Sequence, residues 1–310
     1  MSPRVGLVGC GRWGRHVLRD LRALGCEVAV VARSEESRRR ASDGGASEIV
    51  DSIAALAGAD GIIIATPEDS HAAVSRAALE LGVAVFCEKP LTVDPASAAE
   101  LAALAPERLF CMDKWRYHPG VEALGAVARS GELGEPLGLR TRRVGWGNAH
   151  PTSDTTWHLV PHDLSIALEI LGFVPEPRSA VLEGPAQSPR GLSGVLGERP
   201  LLEVEVSSAR HTRDRSLQLD CSGGVAWLAD PMAEAIGIVE TNAIGAEPTW
   251  RAISQEMPLF RELRTFLEHL GGGAPPRSSA VEAAEIVAVL GRLRELAGLS
   301  AASTETAEAR

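Results

Sequence analysis

The chain has 310 residues, 45% hydrophobic and 23% charged, enough apolar material for one large domain or two ordinary ones. A formal charge of −10 without a compensating basic block argues against nucleic acid as a partner. Five scattered cysteines, none in a C-x-x-C pair, argue against a disulfide framework or a thiolate metal site; with no signal-peptide pattern and no span-length apolar run, a soluble cytoplasmic protein without a membrane partner is expected.

Short apolar strands alternate with helical patterns over the first 115 residues. Strands are predicted at 4–8, 28–32, 48–50, 61–65, 83–86 and 108–112, with helical segments at 13–24, 35–41, 53–57, 70–81 and 94–105. That alternation implies an α/β domain with a doubly wound, mostly parallel sheet. The pattern then changes. A helix is predicted at 119–130, a long strand at 137–146, a helix at 163–171, and strands at 201–209, 216–221 and 225–228. Strands without intervening helices imply a second, α+β domain with a large, mostly antiparallel open sheet. Helices at 259–270 and 281–296 follow, and 299–310 is small, polar and expected to fray. The expected division is therefore 1–117, 118–298 and a tail.

Gly9-Cys10-Gly11-Arg12-Trp13-Gly14 follows the first strand and opens the first helix. Glycines in that position form the turn through which backbone N–H groups and a helix N-terminus hold a pyrophosphate, so this segment predicts a dinucleotide site. The second strand ends Val31-Ala32-Arg33-Ser34, with no carboxylate to hold both ribose hydroxyls and repel a 2′-phosphate. Arg33 and Ser34, assisted by Arg38, would hold that phosphate, which favours NADP over NAD; the competing reading makes Arg33 an ordinary surface residue. Thr66, Pro67 and His71 follow the fourth strand and are expected to wall the cofactor, with Ser70 or Asp69 capping the next helix.

Glu88-Lys89-Pro90 ends the fifth strand, where ligands of open α/β sheets bind. Lys89 and Lys114 are the only lysines, against twenty-nine arginines. Lysine alone of the two can release its proton near neutral pH, so Lys89 is the expected acid/base group at a reacting carbonyl or alcohol.

GCGRWG at 9–14, ATPEDSH at 65–71, CEKPLTVD at 87–94, WRYHPGVEAL at 115–124, GELGEPLGLR at 131–140 and PLFRELRTFLEHL at 258–270 occur in an order and spacing that resembles the Gfo/Idh/MocA oxidoreductases. The resemblance implies a Rossmann domain, a second domain with a broad sheet, a homodimer or homotetramer, and hydride transfer between a nicotinamide and a sugar- or cyclitol-like small molecule. It places Glu88 against the nicotinamide ribose, Lys89 against nicotinamide and substrate, and allows a cis Lys89–Pro90 bond. His162 matches the family's acid/base histidine, but the aspartate four residues earlier is replaced by His158, expected to contact substrate while Lys89 and His162 share the proton work. Pro161 is read as a helix start between the two histidines, and no metal is expected. Arg116 is a candidate for cofactor or an anionic substrate group; Trp115 and Tyr117 are read as hinge packing or, for Tyr117, a proton donor. Trp146, His150 and Asp154 are candidate pocket residues. An imine reductase and a non-catalytic cofactor sensor are the alternatives, and the lost aspartate motivates both.

Overall fold

The computed structural model describes residues 2–147, 154–240 and 245–302. The chain divides into two compact units, Met1–Lys114 with Met257–Val287, and Trp115–Glu256 with Ala288–Arg310.

The first unit is built on six parallel strands, β1 (Arg4–Val8), β2 (Glu27–Val31), β3 (Glu48–Val50), β4 (Gly61–Ile64), β5 (Ala84–Glu88) and β6 (Leu109–Met112), in the order β3-β2-β1-β4-β5-β6. Strands β1, β4 and β6 are buried on both faces, which is why they read as continuous apolar runs, whereas the edge strand β3 is partly exposed. Helices α1 (Gly14–Ala23), α2 (Glu35–Asp43), α3 (His71–Leu79) and α4 (Pro95–Leu104) connect them. The predicted segment at 53–57 is a single 3-10 turn, Ile53–Leu56.

The sequence-based division differs from the structure at the end of the chain. Helix α7 (Pro258–Leu270) lies with the first unit, because Leu259, Leu263 and Phe266 join the core formed by β1, β2, β5 and α1. Phe266 stacks on Phe86 of β5, ring centroids 4.9 Å apart. A Cβ at Gly61, the first residue of β4, would meet Leu270 and Phe266, so α7 runs antiparallel to the strands with its N-terminal turns over their C-terminal edge.

The second unit carries α5 (Pro119–Ser130), β7 (Pro136–Trp146), α6 (Thr155–Leu171), β8 (Pro177–Glu183), β9 (Gly191–Leu196), β10 (Leu201–Ser207), β11 (Ala209–Asp214), β12 (Leu217–Cys221), β13 (Gly224–Leu228), β14 (Ala235–Val239) and β15 (Thr249–Ala252). The described strands form one nine-stranded sheet, β15-β14-β13-β12-β7-β10-β9-β8, with β11 also on β7. Every pairing is antiparallel except β7 with β10. Helices α5 and α6 pack on the sheet. On β7, Thr141 and Arg143 are buried while Arg140 and Arg142 are exposed and pair with Glu203, Asp220, Glu205 and Asp214. Helix α8 (Ala280–Leu296) closes the described chain. No helix among the described residues is long and apolar enough to cross a membrane.

Helix α6 starts eight residues earlier than the sequence predicts. Pro161 lies inside it rather than at its start, and Asp154 is its N-cap, accepting from the Thr156 N–H at 2.8 Å. The burial of Trp157, Val160 and Leu164 on one helical stripe outweighs the hydrogen bond that Pro161 cannot donate.

Candidate active site

In the first unit the glycine segment 9–14 forms a tight turn at the C-terminal edge of the sheet. Gly9 has φ +94°, and a Cβ there would press on the Ala65 carbonyl oxygen 2.7 Å away. A Cβ at Gly14 would collide with the Gly9 carbonyl oxygen, whereas one at Gly11 would meet nothing within 4 Å. Helix α1 begins after Trp13 without a side-chain cap or a first-turn carboxylate; the Arg15 and His16 N–H groups bond the Gly11 and Trp13 carbonyls, and the positive end of the helix dipole faces the turn with no acidic side chain of the first turn against it. This open cradle fits a pyrophosphate, with Gly9, Gly11, Arg12, Trp13 and Gly14 around it.

At the end of β2, Ala32 is buried and Arg33 is exposed, and Arg33 makes no hydrogen bond or ion pair among the described residues. Ser34 caps α2, accepting from the Ser37 N–H at 3.1 Å. Arg38 is already committed, donating to the Ala32 carbonyl at 3.1 Å and to Asp51 at 2.6 Å. Arg33 is therefore the cation at this edge that intramolecular bonds leave available.

His71 occupies a different place from the one its sequence position suggests. It is 1% exposed and lies beneath the loops, its Nδ1 2.7 Å from the Pro90 carbonyl oxygen and its Nε2 3.0 Å from that of Thr66. It ties the loop after β4 to the Glu88-Lys89-Pro90 turn. Neither Ser70 nor Asp69 caps α3 through its side chain; the Ser70 hydroxyl turns back to Thr66 Oγ1 and the Pro67 carbonyl, at 2.8 and 2.7 Å.

Glu88 is buried, accepts a hydrogen bond from the Trp13 indole N–H, and accepts from the Lys89 backbone N–H at 3.1 Å. Lys114 lies 4.1 Å from the centroid of the Trp13 ring. Lys89 is half-buried and the Lys89–Pro90 bond is cis. The β5–β6 register aligns Cys87 with Cys111 and so brings Asp113 alongside Lys89. Desolvation pulls the Lys89 ammonium below its usual pKa, with Glu88, Glu68, Asp113 and Cys111 opposing it.

Sequence reasoning missed Glu262. It is 0% exposed on α7, one turn before Phe266, and neither carboxylate oxygen has a hydrogen-bond partner among the described residues. Since Phe266 stacks on Phe86 and α7 runs antiparallel to β5, Glu262 lies level with Glu88. Burial raises its pKa well above the usual carboxyl range, reinforced by Glu88 and Asp113 and opposed by Lys114. A folded pKa above the unfolded one means that the native chain holds the extra proton. Stability from this group is thus fully present below the ordinary glutamate value and declines as pH rises towards the native one. Replacing Glu262 by Gln is expected to flatten that decline and to raise stability above pH 7, read as urea midpoints from pH 5 to 9; an unchanged slope would show that Glu262 is ionised in the native protein.

In the second unit, His158 and His162 lie one turn apart on the continuous α6, His162 buried and His158 half-buried. The Trp115 ring lies between three groups: His118 stacks on it at 5.0 Å, His162 meets it edge-on at 6.5 Å, and the Arg143 guanidinium sits 4.4 Å from its centroid. Arg116, a candidate for cofactor or an anionic substrate group, is buried and its Nε pairs with Glu169 at 3.2 Å. Tyr117 is buried, Trp146 is exposed, and Asp154 caps α6 and pairs with Arg294. His150 lies outside the described residues, as does 303–310 of the predicted tail. Among the described residues no three His, Cys, Asp or Glu side chains are grouped to hold a metal ion.

Residues 3–111 match a family model described as an oxidoreductase family with an NAD-binding Rossmann fold. Over those residues the chain resembles the Gfo/Idh/MocA oxidoreductases. Its similarity to proteins of known name is partial in sequence and extensive in fold. It is 36% identical to inositol 2-dehydrogenase 1 of Paenarthrobacter aurescens over 151 residues, 44% of either chain. It is 30% identical to UDP-N-acetylglucosamine 3-dehydrogenase of Acidithiobacillus ferrooxidans over 190 residues, 57% of either. The chain thus spans about half the length of the relatives it matches. An oxidoreductase from Agrobacterium radiobacter, solved with NAD+, L-tartaric acid and magnesium, superposes with a TM-score of 0.85 at 18% identity, covering 96% of this chain and 97% of that one. The observed fold, a six-stranded parallel sheet followed by a mostly antiparallel one, agrees with the α/β plus α+β architecture expected from the sequence.

Proposed function

We propose that the protein is a nicotinamide-dependent oxidoreductase acting on an alcohol or carbonyl carbon of a small polar substrate. The observation that carries this reading is the pairing, on one sheet edge, of an open glycine cradle with a half-buried lysine held down in pKa by desolvation. When bound, the nicotinamide supplies or accepts hydride. The chain's own residues do the rest. Gly9, Gly11 and the α1 N-terminus bind the pyrophosphate, and Glu88, fixed by Trp13, positions the ribose. Lys89 holds the proton that moves on or off the substrate oxygen. In the second unit His162 is the proposed acid/base group for a substrate hydroxyl, and His158 a substrate contact. The relatives named inositol 2-dehydrogenase and UDP-N-acetylglucosamine 3-dehydrogenase support a polyol or sugar substrate.

NADP is the proposed cofactor, supported by the uncommitted Arg33 and the small, buried Ala32. Binding of NADPH and NADH, followed by energy transfer from tryptophan to the reduced nicotinamide, tests both levels of the proposal. Arg33→Ala is expected to weaken NADPH binding about tenfold, the loss of one charge-assisted contact, and to leave NADH unchanged. Equal loss for both would remove the case for the 2′-phosphate, and binding of neither by folded protein would remove the oxidoreductase reading. His158 in place of the expected carboxylate favours a second reading, reduction of a cyclic imine; turnover of an imine against a keto-sugar with NADPH separates the two.

A further inference from the structure

The second unit holds two arginines opposite each other on the buried side of its sheet. Asp214 pairs with Val144 and Leu217 with Thr141, so the intervening register sets Arg215 opposite Arg143. Thr141, Arg143 and Leu217 are buried and alternate with the exposed Arg142, which puts Arg143 and Arg215 on the same face. Like charges directly opposite on one face destabilise a sheet unless an anion lies between them.

The charges of the protein do not balance there. Arg143 is 3% exposed and gives Nε and Nη2 to Asp163 at 3.1 and 3.3 Å, but its buried Nη1 has no partner among the described residues. Arg215 is half-buried and makes no hydrogen bond or ion pair among the described residues. Desolvation, with Arg143 and Arg213, pulls Arg215 down to about 10, and Asp163 and Asp230 only partly oppose this. Asp163 already serves Arg143, and Asp230 is exposed, its Oδ1 accepting from the Met232 N–H at 2.8 Å. Arg143 also lies over Trp115, whose far contacts include His162. Asp163, the residue after His162 on α6, ties the arginine pair to the helix that carries the proposed acid/base histidine.

We propose that Arg215, backed by the buried Arg143, is an anion subsite that selects substrates carrying a carboxylate or phosphate group. This rests on the reading of His162 as a substrate-facing residue and narrows the substrate class from neutral polyols to sugar acids or sugar phosphates.

The test is the thermal midpoint of the full chain at fixed ionic strength with D-glucuronate, D-gluconate, D-glucose 6-phosphate, D-glucose or inorganic phosphate. At least one of the three anionic sugars is expected to raise Tm, with glucose inert and inorganic phosphate needing at least about tenfold higher concentration. Which anionic sugar acts separates a carboxylate site from a phosphate site. Arg215→Leu should abolish the shift, Arg215→Lys should keep part of it, and unliganded Arg215→Leu should melt higher than the parent because the like-charge pair is gone. The proposal is overturned by an equal response to glucose, by no response to any anionic sugar, by inorganic phosphate matching the sugars, or by a lower unliganded Tm in both Arg215→Leu and Arg215→Gln. Nicotinamide binding, measured separately by fluorescence, is expected to be unchanged in these variants. An anion response without any nicotinamide binding would retain the subsite and discard the oxidoreductase reading.

Discussion

Lys89→Ala is expected to lower kcat by about 10³-fold or more while shifting reduced-nicotinamide affinity by less than about tenfold. The asymmetry follows from where the lysine stands. The proposed pyrophosphate cradle is made of backbone at 9–14 and survives the substitution, whereas in the proposed mechanism the Lys89 ammonium holds the proton that balances charge on the substrate oxygen. Its depressed pKa also fixes the sign of the pH dependence. Carbonyl reduction consumes the ammonium, so its rate should fall as pH rises through the native pKa; alcohol oxidation needs the neutral amine, so its rate should rise through the same value. Both midpoints should lie below 10.5, the ordinary lysine value, and both should vanish in Lys89→Met. Steady-state kinetics in each direction from pH 6 to 10 decide it. A variant retaining more than a tenth of the parent kcat would remove Lys89 from the chemistry.

The parallel sheet and its edge were legible because their signals are local. Strands β1, β4 and β5 are short apolar runs closed by Gly9, Pro67 and Pro90, and Gly9 to Gly14 and Glu88 to Pro90 both lie at strand ends. The second unit was less legible for a physical reason. Strands β8, β9, β14 and β15 are half-exposed or glycine-interrupted, so neither a continuous apolar run nor strict alternation marks them. Pro161 is a strong local breaker, and only the tertiary burial of Trp157 and Val160 carries α6 through it. Glu262 illustrates the same limit at the site. In the sequence it is a charged residue on an amphipathic helix, and only the return of α7 onto β5 turns it into a buried acid beside Glu88. Arg215 likewise acquires meaning from the β7–β12 register, which no local pattern reveals.

His71 offers the second large effect, on stability and through it on binding. The carbonyl oxygens of Pro90 and Thr66 can only accept, so a ring that bonds both must carry a hydrogen on each nitrogen and is an imidazolium. Desolvation opposes that charge, but the Cys87 sulfur and the two carbonyls outweigh it and raise the pKa from 6.5 to about 9. A shift of that size in a group 1% exposed corresponds to about 3 kcal/mol. The native state holds the extra proton, so this stabilisation is complete below pH 6.5 and is lost as pH rises through about 9. Urea unfolding at pH 6, 7.5 and 9 should show that decline in the parent. His71→Leu should flatten it at a lower stability, because two buried carbonyls are then unsatisfied at a cost of about 1–3 kcal/mol each. Glu262 contributes a decline of the same sign, so the measurement is best made in the Glu262→Gln background. Thr66 and Pro90 belong to the two loops that flank Lys89, so reduced-nicotinamide affinity should weaken over the same pH interval, and in Lys89→Met as well as in the parent. An unaltered pH slope in His71→Leu, or a single ring proton on His71 by NMR at pH 7, would mean that the ring bonds one loop only and that the two loops are joined by something else.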